Sequence, residues 1–286
     1  MTYKILDGKL LSQKIKRNLK EEIFEIERKH HITPGLAVVL VGEDKASQVY
    51  VANKIKDCEE IGIKSQAYRL PATTGEDAVL KLLSKLNSDM SVHGILVQLP
   101  LPKHIDSEKI IEAIDPRKDV DCFHPINVGK LFSGLDNPFQ PCTPAGVIAL
   151  LKEYNISLSG KDAVVIGRSN IVGKPMSILL LNENCTVTIC HSKTKDLAEK
   201  CLNADIVVAA IGKANFVTAD MIKNGAVVID VGMNRLDGKL VGDVDFHSVA
   251  EKTSAITPVP GGVGPMTRAI LMNNTIQGFK KYFLAS

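Results

Sequence analysis

Tyr50 and Lys54 stand four residues apart in the stretch Ser47-Gln48-Val49-Tyr50-Val51-Ala52-Asn53-Lys54. On a helix that spacing puts both on one face, one turn apart. A lysine desolvated beside an aromatic ring can carry protons near neutrality. Spacing alone fits a surface lysine whose stem lies over the tyrosine even better. Gln98 ends the apolar run Ile95-Leu96-Val97 and precedes Leu99-Pro100-Leu101-Pro102. An amide there can orient an ammonium or a polar group of a substrate, or simply bond backbone. Asp119 and Asp121 lie in the irregular stretch that follows, and one sequence does not say which of them works.

The stretch AVVIGRSNIVGKP at 163–175 offers a second kind of chemistry. An apolar strand ends at Gly167, and a helix starts near Gly173 with Pro175 in its first turn, where a missing N–H costs nothing. Backbone N–H groups and a helix dipole at such a turn accept a pyrophosphate. Ser169 stands where the usual GxGxxG has its second glycine, so a plain strand-to-helix turn explains the spacing equally well. The next strand, 186–190, runs into Cys190-His191-Ser192-Lys193-Thr194 with no acid. A carboxylate there would bind a ribose 2′-hydroxyl and repel a 2′-phosphate. A serine, a lysine and the nearby Arg168 favour the phosphate, and therefore NADP over NAD. The alternative is that Ser192 and Lys193 only cap and solvate a loop. Thr257-Pro258-Val259-Pro260-Gly261-Gly262-Val263-Gly264-Pro265 forces a specific backbone path before a helix, as a binding wall or as a rigid turn.

The elements that must position these residues alternate between strand and helix. Leu11, Ile15, Leu19, Ile23 and Ile26 predict a helix over 10–30. Strands are expected at 36–41, 67–71 and 94–100, with helices at 47–61 and 75–88 between them. Residues 115–141 hold four prolines and two glycines and few periodic apolar positions, and read as a boundary segment. A helix at 144–154 follows, then Val/Ile-rich strands at 163–166, 186–189, 206–210 and 226–229. Such strands joined by helices predict a parallel sheet covered on both faces. A closing helix is expected at 265–283. The fold class is α/β with two domains: an N-terminal catalytic domain (1–120 plus 272–286) and a Rossmann-type parallel-sheet NADP domain (140–271). A linker at 121–139 joins them, with a cleft between the domains.

Composition narrows the function. The 286 residues carry 35 Lys+Arg against 32 Asp+Glu, a formal charge of +3, too small for a broad nucleic-acid or membrane footprint. The longest apolar runs are strand-length, so no membrane span is expected. The N-terminus lacks the uninterrupted apolar core of a secretory signal. Six cysteines without a CxxC pair read as reduced thiols of a cytoplasmic protein, and no metal site is expected.

Taken together, the motifs become specific. VGEDKASQVYVANKIKDCEEIGI, GILVQLPLP, DPRKDVDCFHPINVGKL, PCTPAGV, VVIGRSNIVGKPMS, HSKT, GAVVIDVGMNR, VGDVDF and ITPVPGGVGPMT run in order from about residue 41 to 267. The chain resembles the bifunctional methylenetetrahydrofolate dehydrogenase/methenyltetrahydrofolate cyclohydrolase family. The resemblance implies oxidation of methylenetetrahydrofolate by NADP⁺, hydrolysis of the methenyl product to formyltetrahydrofolate, and a homodimer. It implies Lys54 as catalytic lysine, Tyr50 stacked on the folate, Gln98 orienting Lys54, and Asp121 on the pterin ring. Ser47, Leu99, Pro100, Pro260, Gly261 and Gly262 would line the folate site. Gly167, Arg168, Ser169, Ser192 and Met233 would hold the cofactor; the family often has Ile at the last of these. Two other readings stand beside it. Tyr50-x-x-x-Lys54 imitates the pair of short-chain reductases, but there the pair follows the nucleotide loop, and here it precedes Gly167 by about a hundred residues. A nucleotide-sensing module without turnover is the non-enzymatic alternative, which a turnover assay separates.

Overall fold

The computed structural model describes residues 3–284. In chain order the elements are β1 (Lys4–Ile5), α1 (Gly8–His30), β2 (Gly35–Val41), α2 (Lys45–Ile61), β3 (Lys64–Leu70), α3 (Glu76–Ser88), β4 (Gly94–Val97), α4 (Ser107–Glu112), α5 (Pro125–Phe132) and α6 (Cys142–Glu153). There follow β5 (Asp162–Ile166), α7 (Gly173–Asn182), β6 (Thr186–Cys190), α8 (Leu197–Leu202), β7 (Ile206–Ala209), β8 (Val227–Asp230), β9 (Asn234–Leu236), β10 (Lys239–Val241), α9 (Phe246–Ala250), β11 (Ala255–Ile256) and α10 (Val263–Phe279). Two compact units result: one is Lys14–Gln140 with the chain from Leu271 onward, the other is Pro141–Ile270 with the chain up to Gln13.

The first unit is built on a three-stranded parallel sheet in the order β3-β2-β4. The central β2, Gly-Leu-Ala-Val-Val-Leu-Val, is buried along its whole length, as a strand covered on both faces must be. Val39, Val41, Val79, Leu83, Ile95, Val97 and Ile110 form its core. The edge strand β3 alternates between half-buried and exposed residues instead. Helix α2 starts where the Asp44 carboxylate accepts the Ser47 N–H at 2.7 Å, and stops at Gly62, whose φ of 95° suits a residue without Cβ.

Residues 121–139, expected as a linker, are not structureless. They contain α5, started by Pro125 at its first turn and by His124 Nδ1, which accepts the Ile126 N–H at 3.1 Å. The segment belongs to the first unit, because polar side chains rather than periodic apolar ones tie it down. Asn274 of α10 donates to the carbonyls of Val120 and Gln140 at 2.8 and 2.7 Å. Lys118, 1% exposed, donates to the carbonyls of Leu86, Asn87 and Asp89 at 3.0, 2.8 and 2.8 Å, and so closes the C-terminal end of α3.

His93 lies close to Lys118, with Nδ1 accepting the Gly35 N–H at 2.8 Å and its ring edge-on to Phe279 and Phe283. Burial, reinforced by the Lys118 charge, pushes its pKa from 6.5 down to about 4. The unfolded chain therefore takes up this proton first, and stability is lost as pH falls from about 6.5 to about 4. The loss is about 2–3 kcal/mol at 1.36 kcal/mol per unit. His93→Gln keeps an acceptor for Gly35 but cannot be protonated. Urea unfolding at pH 7.5 and 4.5 is expected to show an acid loss smaller by that amount in the variant. Equal losses in both proteins would remove His93 from the acid response.

The second unit holds a six-stranded parallel sheet in the order β1-β11-β8-β7-β5-β6. Val164, Ile166, Val207, Ala209, Val228 and Ile256 lie in the core on it. β6 departs from the expected buried strand: it is the sheet edge, and Ile189 is 41% exposed. The N-terminal residues also depart from the expected boundaries. β1 pairs with β11 through Lys4↔Ala255 and Ile5↔Ile256, which joins them to this sheet and not to the first domain. A two-residue strand carries too little periodicity to be read from sequence. β9 and β10 form an antiparallel hairpin turned at Asp237-Gly238, both at positive φ.

Candidate active site

Parallel α/β sheets put their sites beyond the carboxyl ends of the strands. In the first unit that end collects Ser47, Tyr50 and Lys54 on α2, just after β2, and Gln98, just after β4. The Gln98 N–H donates to the Val39 carbonyl at 2.8 Å, which sets its side chain level with the end of β2. Lys54 is 6% exposed, and its Nζ donates to Gln98 Oε1 at 3.0 Å. Gln98 Nε2 in turn donates to the Leu99 carbonyl at 2.7 Å, which fixes the amide orientation and turns its oxygen toward the lysine. A lysine taken out of water needs such a partner. Tyr50 is half-buried one turn before Lys54, and Ser47 is buried at the start of the same helix. Leu99-Pro100 is a cis peptide directly after Gln98.

The two aspartates of the following segment separate clearly. Asp119, 2% exposed, accepts the N–H groups of Phe123 and His124 at 3.2 and 2.9 Å and Asn127 Nδ2 at 2.8 Å. It is the internal anchor of the turn, and burial raises its pKa. Asp119 pairs in parallel with Ile95 of β4, and the chain then turns, the Cys122 N–H donating to the Asp119 carbonyl at 3.2 Å, with Asp121 inside that turn. Asp121 is half-buried there. The sequence names both acids and gives no means of dividing them; the burial and the hydrogen bonds of Asp119 do so.

In the second unit, β5 has β7 on one side and β6 on the other, so the chain reverses its direction of winding at β5. That is the switch point at which a dinucleotide binds. Gly167 has φ 127°, and a Cβ built on it would lie 2.2 Å from the Ala210 carbonyl oxygen. A Cβ on Gly173 would lie 2.3 Å from the Gly167 oxygen. Only glycine allows a turn this close to its neighbours. Ser169 Oγ accepts the N–H groups of Val172 and Gly173 at 3.2 and 3.3 Å, and so shapes the entry to α7. The side chains of Arg168 and Ser169 are exposed.

The loop after β6 emerges beside this turn, because Ile166 pairs with Cys190 and the Gly167 N–H donates to the Cys190 carbonyl at 2.8 Å. Arg168 and Ser192 thus lie on adjacent strand ends. The loop is closed by Thr194 Oγ1, which accepts the His191 N–H, and by His191 Nδ1, which accepts the Lys193 N–H. The side chains of Ser192 and Lys193 are exposed. The turn and the adjoining loop fit a phosphorylated dinucleotide: close-packed backbone for a pyrophosphate, and a hydroxyl and cations at the neighbouring strand end. Met233, 47% exposed, follows β8. Pro260, Gly261 and Gly262 lie in the second unit, where the Gly261 carbonyl accepts the Lys9 N–H at 2.9 Å, whereas the other residues expected to line the folate site lie in the first.

Two acids escape a reading of the sequence. Asp230 at the end of β8 and Asp243 after β10 are 3% and 0% exposed, and between them they accept backbone N–H groups from three loops. Thirteen positions separate them, and nothing in the spacing announces that they meet.

A glycine turn for a dinucleotide on one parallel sheet, and a buried lysine–amide pair at the strand ends of another, define a two-unit α/β nucleotide-dependent enzyme. The profile of the tetrahydrofolate dehydrogenase/cyclohydrolase catalytic domain matches residues 6–121, and that of the NAD(P)-binding domain of the same family matches residues 141–283. The chain belongs to the tetrahydrofolate dehydrogenase/cyclohydrolase family, and its second sheet is the NAD(P)-binding domain. It is 65% identical over 274 residues to the bifunctional protein FolD of Campylobacter concisus, covering 96% of each chain. The crystal structure of the bifunctional enzyme FolD from Campylobacter jejuni superposes with a TM-score of 0.96 at 55% identity, covering 98% of this chain and 99% of that one. The Trypanosoma brucei methylenetetrahydrofolate dehydrogenase-cyclohydrolase, solved with NADP cofactor and inhibitor, gives a TM-score of 0.94 at 39% identity, covering 98% of both chains.

Proposed function

We propose that this protein oxidises 5,10-methylenetetrahydrofolate with NADP⁺ and then hydrolyses the 5,10-methenyl product to 10-formyltetrahydrofolate, with Lys54 as the proton carrier of the second step. The observation that carries this reading is the buried Lys54 aimed at Gln98 Oε1 at 3.0 Å, on a chain that also bears the dinucleotide turn. When bound, NADP⁺ supplies the hydride acceptor. Removal of hydride from a methylene between two nitrogens asks the protein for positioning, not for an acid or base at carbon. Tyr50 stacks on the folate and Asp121 accepts from its pterin ring, with Ser47, Leu99 and Pro100 beside them; Pro260, Gly261 and Gly262 are assigned to the same substrate. Water then adds to the methenyl carbon, and Lys54 Nζ moves the proton that the ring-opening nitrogen needs. Gln98 holds the ammonium or amine in place through both steps.

Gly167, Arg168, Ser169, Ser192 and Met233 are assigned to the cofactor, with Arg168 and Ser192 on the 2′-phosphate. The protein is read as a cytoplasmic homodimer whose partners are tetrahydrofolate derivatives, with neither nucleic acid nor membrane. In support, the net charge is +3, and among the described residues no helix is long and apolar enough to cross a membrane.

The test follows reduced cofactor and methenyl decay separately, with NADP⁺ and NAD⁺ in parallel, for the native chain and Arg168→Ala. A charge-assisted hydrogen bond contributes about 1.5–3 kcal/mol, so the variant is expected to lose roughly 10- to 100-fold in affinity for NADP⁺ and little for NAD⁺. Equal losses would take Arg168 out of the phosphate site. A folded native chain with neither turnover would leave the nucleotide-sensing alternative.

A further inference from the structure

Asp230 and Asp243 are locked into each other's glycines. A Cβ on Gly242 would lie 1.8 Å from Asp230 Oδ2, and a Cβ on Gly232 would lie 2.2 Å from Asp243 Oδ1. Each glycine is thus an empty socket filled by the acid of the other strand. Asp230 accepts the N–H groups of Gly232, Asp243 and Val244, all at 2.9 Å. Its own N–H is held by Thr257 Oγ1 at 2.7 Å. Asp243 accepts three successive N–H groups, from Ile211, Gly212 and Lys213, at 2.7, 3.0 and 2.8 Å, and Asn234 Nδ2 at 2.9 Å. Three consecutive N–H groups converging on one carboxylate, with Gly212 at φ 66°, form an anion nest occupied by the protein's own side chain.

The nest belongs to the turn after β7. That turn opens with Ala210, whose carbonyl oxygen is the atom against which Gly167 is packed. The Asp230 clasp also pins Gly232, the residue before Met233. One pair of acids therefore fixes the turn beside the glycine loop and the loop after β8, the two flanks of the strand-end crevice where β5, β7 and β8 stop. Both acids are occupied by backbone N–H groups and, at Asp243, by Asn234 as well, so neither is placed to touch a ligand.

We propose that Asp243, seated by Asp230, is the positioning residue that holds the Ile211–Lys213 turn in the shape NADP⁺ binding requires. The assignment rests on reading the Gly167 loop as the NADP site. Asp243→Asn keeps the volume but turns one carboxylate oxygen into an NH₂ that faces N–H donors, leaving the turn unheld on one side. The expected result is a rise in the KM for NADP⁺ of about tenfold or more, with methenyl hydrolysis by the same preparation within about twofold of native. Asn234→Ala removes a single donor to the same carboxylate and is expected to raise that KM about threefold, again without loss of hydrolysis; it decides the matter if Asp243→Asn does not fold. An unchanged KM in both variants, or a parallel fall of both activities in Asn234→Ala, overturns the proposal. A native chain that reduces no NADP⁺ at all would instead count against the NADP reading itself.

Discussion

Lys54→Met is expected to abolish hydrolysis of methenyltetrahydrofolate down to the rate without enzyme, a loss of at least about a thousandfold, while hydride transfer falls by less than about tenfold. Methionine follows the unbranched stem of the lysine and fills much of its buried volume, so α2 keeps its packing. What disappears is the donor 3.0 Å from Gln98 Oε1, and with it the group that moves a proton. General acid–base catalysis contributes about 10²–10⁴-fold, and Lys54 is the lysine that Gln98 holds at this strand end. The dehydrogenase step draws on position alone, which explains the unequal losses. The check is a stopped assay of methenyl decay beside a cofactor-reduction assay on one preparation. Hydrolysis within tenfold of native would end the proton-carrier role of Lys54.

Gly167→Ala is expected to lower NADP⁺-linked turnover by more than about a hundredfold while hydrolysis stays within a few-fold. The added methyl group would sit 2.2 Å from the Ala210 carbonyl oxygen on a residue at φ 127°, so both the turn and its neighbour must move. Strained backbone of this kind costs on the order of 1–3 kcal/mol, and the cheapest relief is to displace the loop that a pyrophosphate needs. Lys54 lies in the other unit and keeps its partner. Titration with NADP⁺ followed by fluorescence of the reduced cofactor measures the effect; a native KM in this variant would show that the turn does not carry the nucleotide.

Both predictions draw on features that the sequence displays in different degrees. Val/Ile-rich runs such as Val38-Val39-Leu40 and Ile206-Val207-Val208 are legible because burial on both faces leaves no room for polar residues. The Gly167 turn is legible because glycine and an early-turn proline punctuate it. Tyr50 and Lys54 are visible as a helical pair, but the spacing alone favours a surface lysine; burial and the contact with Gln98, forty-four positions from Lys54, come from the pairing of β2 with β4. Lys118, Asn274, the Asp230–Asp243 clasp and the anchoring role of Asp119 are invisible in the sequence for one shared reason. Each is a polar side chain satisfied by backbone atoms, and such bonds leave no periodic trace. They also explain why residues 115–140, poor in apolar repeats, are nonetheless tied to the first unit.

The acid response carries a further subtlety. Burial pushes Asp230 up to about 6, so its protonation relieves a cost in the same pH range where His93 incurs one. The two run in opposite directions, one in each unit. The comparison of native with His93→Gln isolates the histidine, because Asp230 is common to both.

The clasp also makes the β9–β10 hairpin a usable handle for protein engineering. Both feet of the hairpin are pinned by the Asp230 carboxylate, through the N–H groups of Gly232 and Asp243, while its tip at Asp237-Gly238 is exposed and already bends through positive φ. A peptide epitope or a fluorophore-bearing loop spliced between those two residues would lengthen the ribbon at the far end from the pinned feet, so the strain of the insert would dissipate in solvent before reaching Ile211–Lys213. The same geometry that fixes the crevice thereby leaves the chain one place where it can be lengthened.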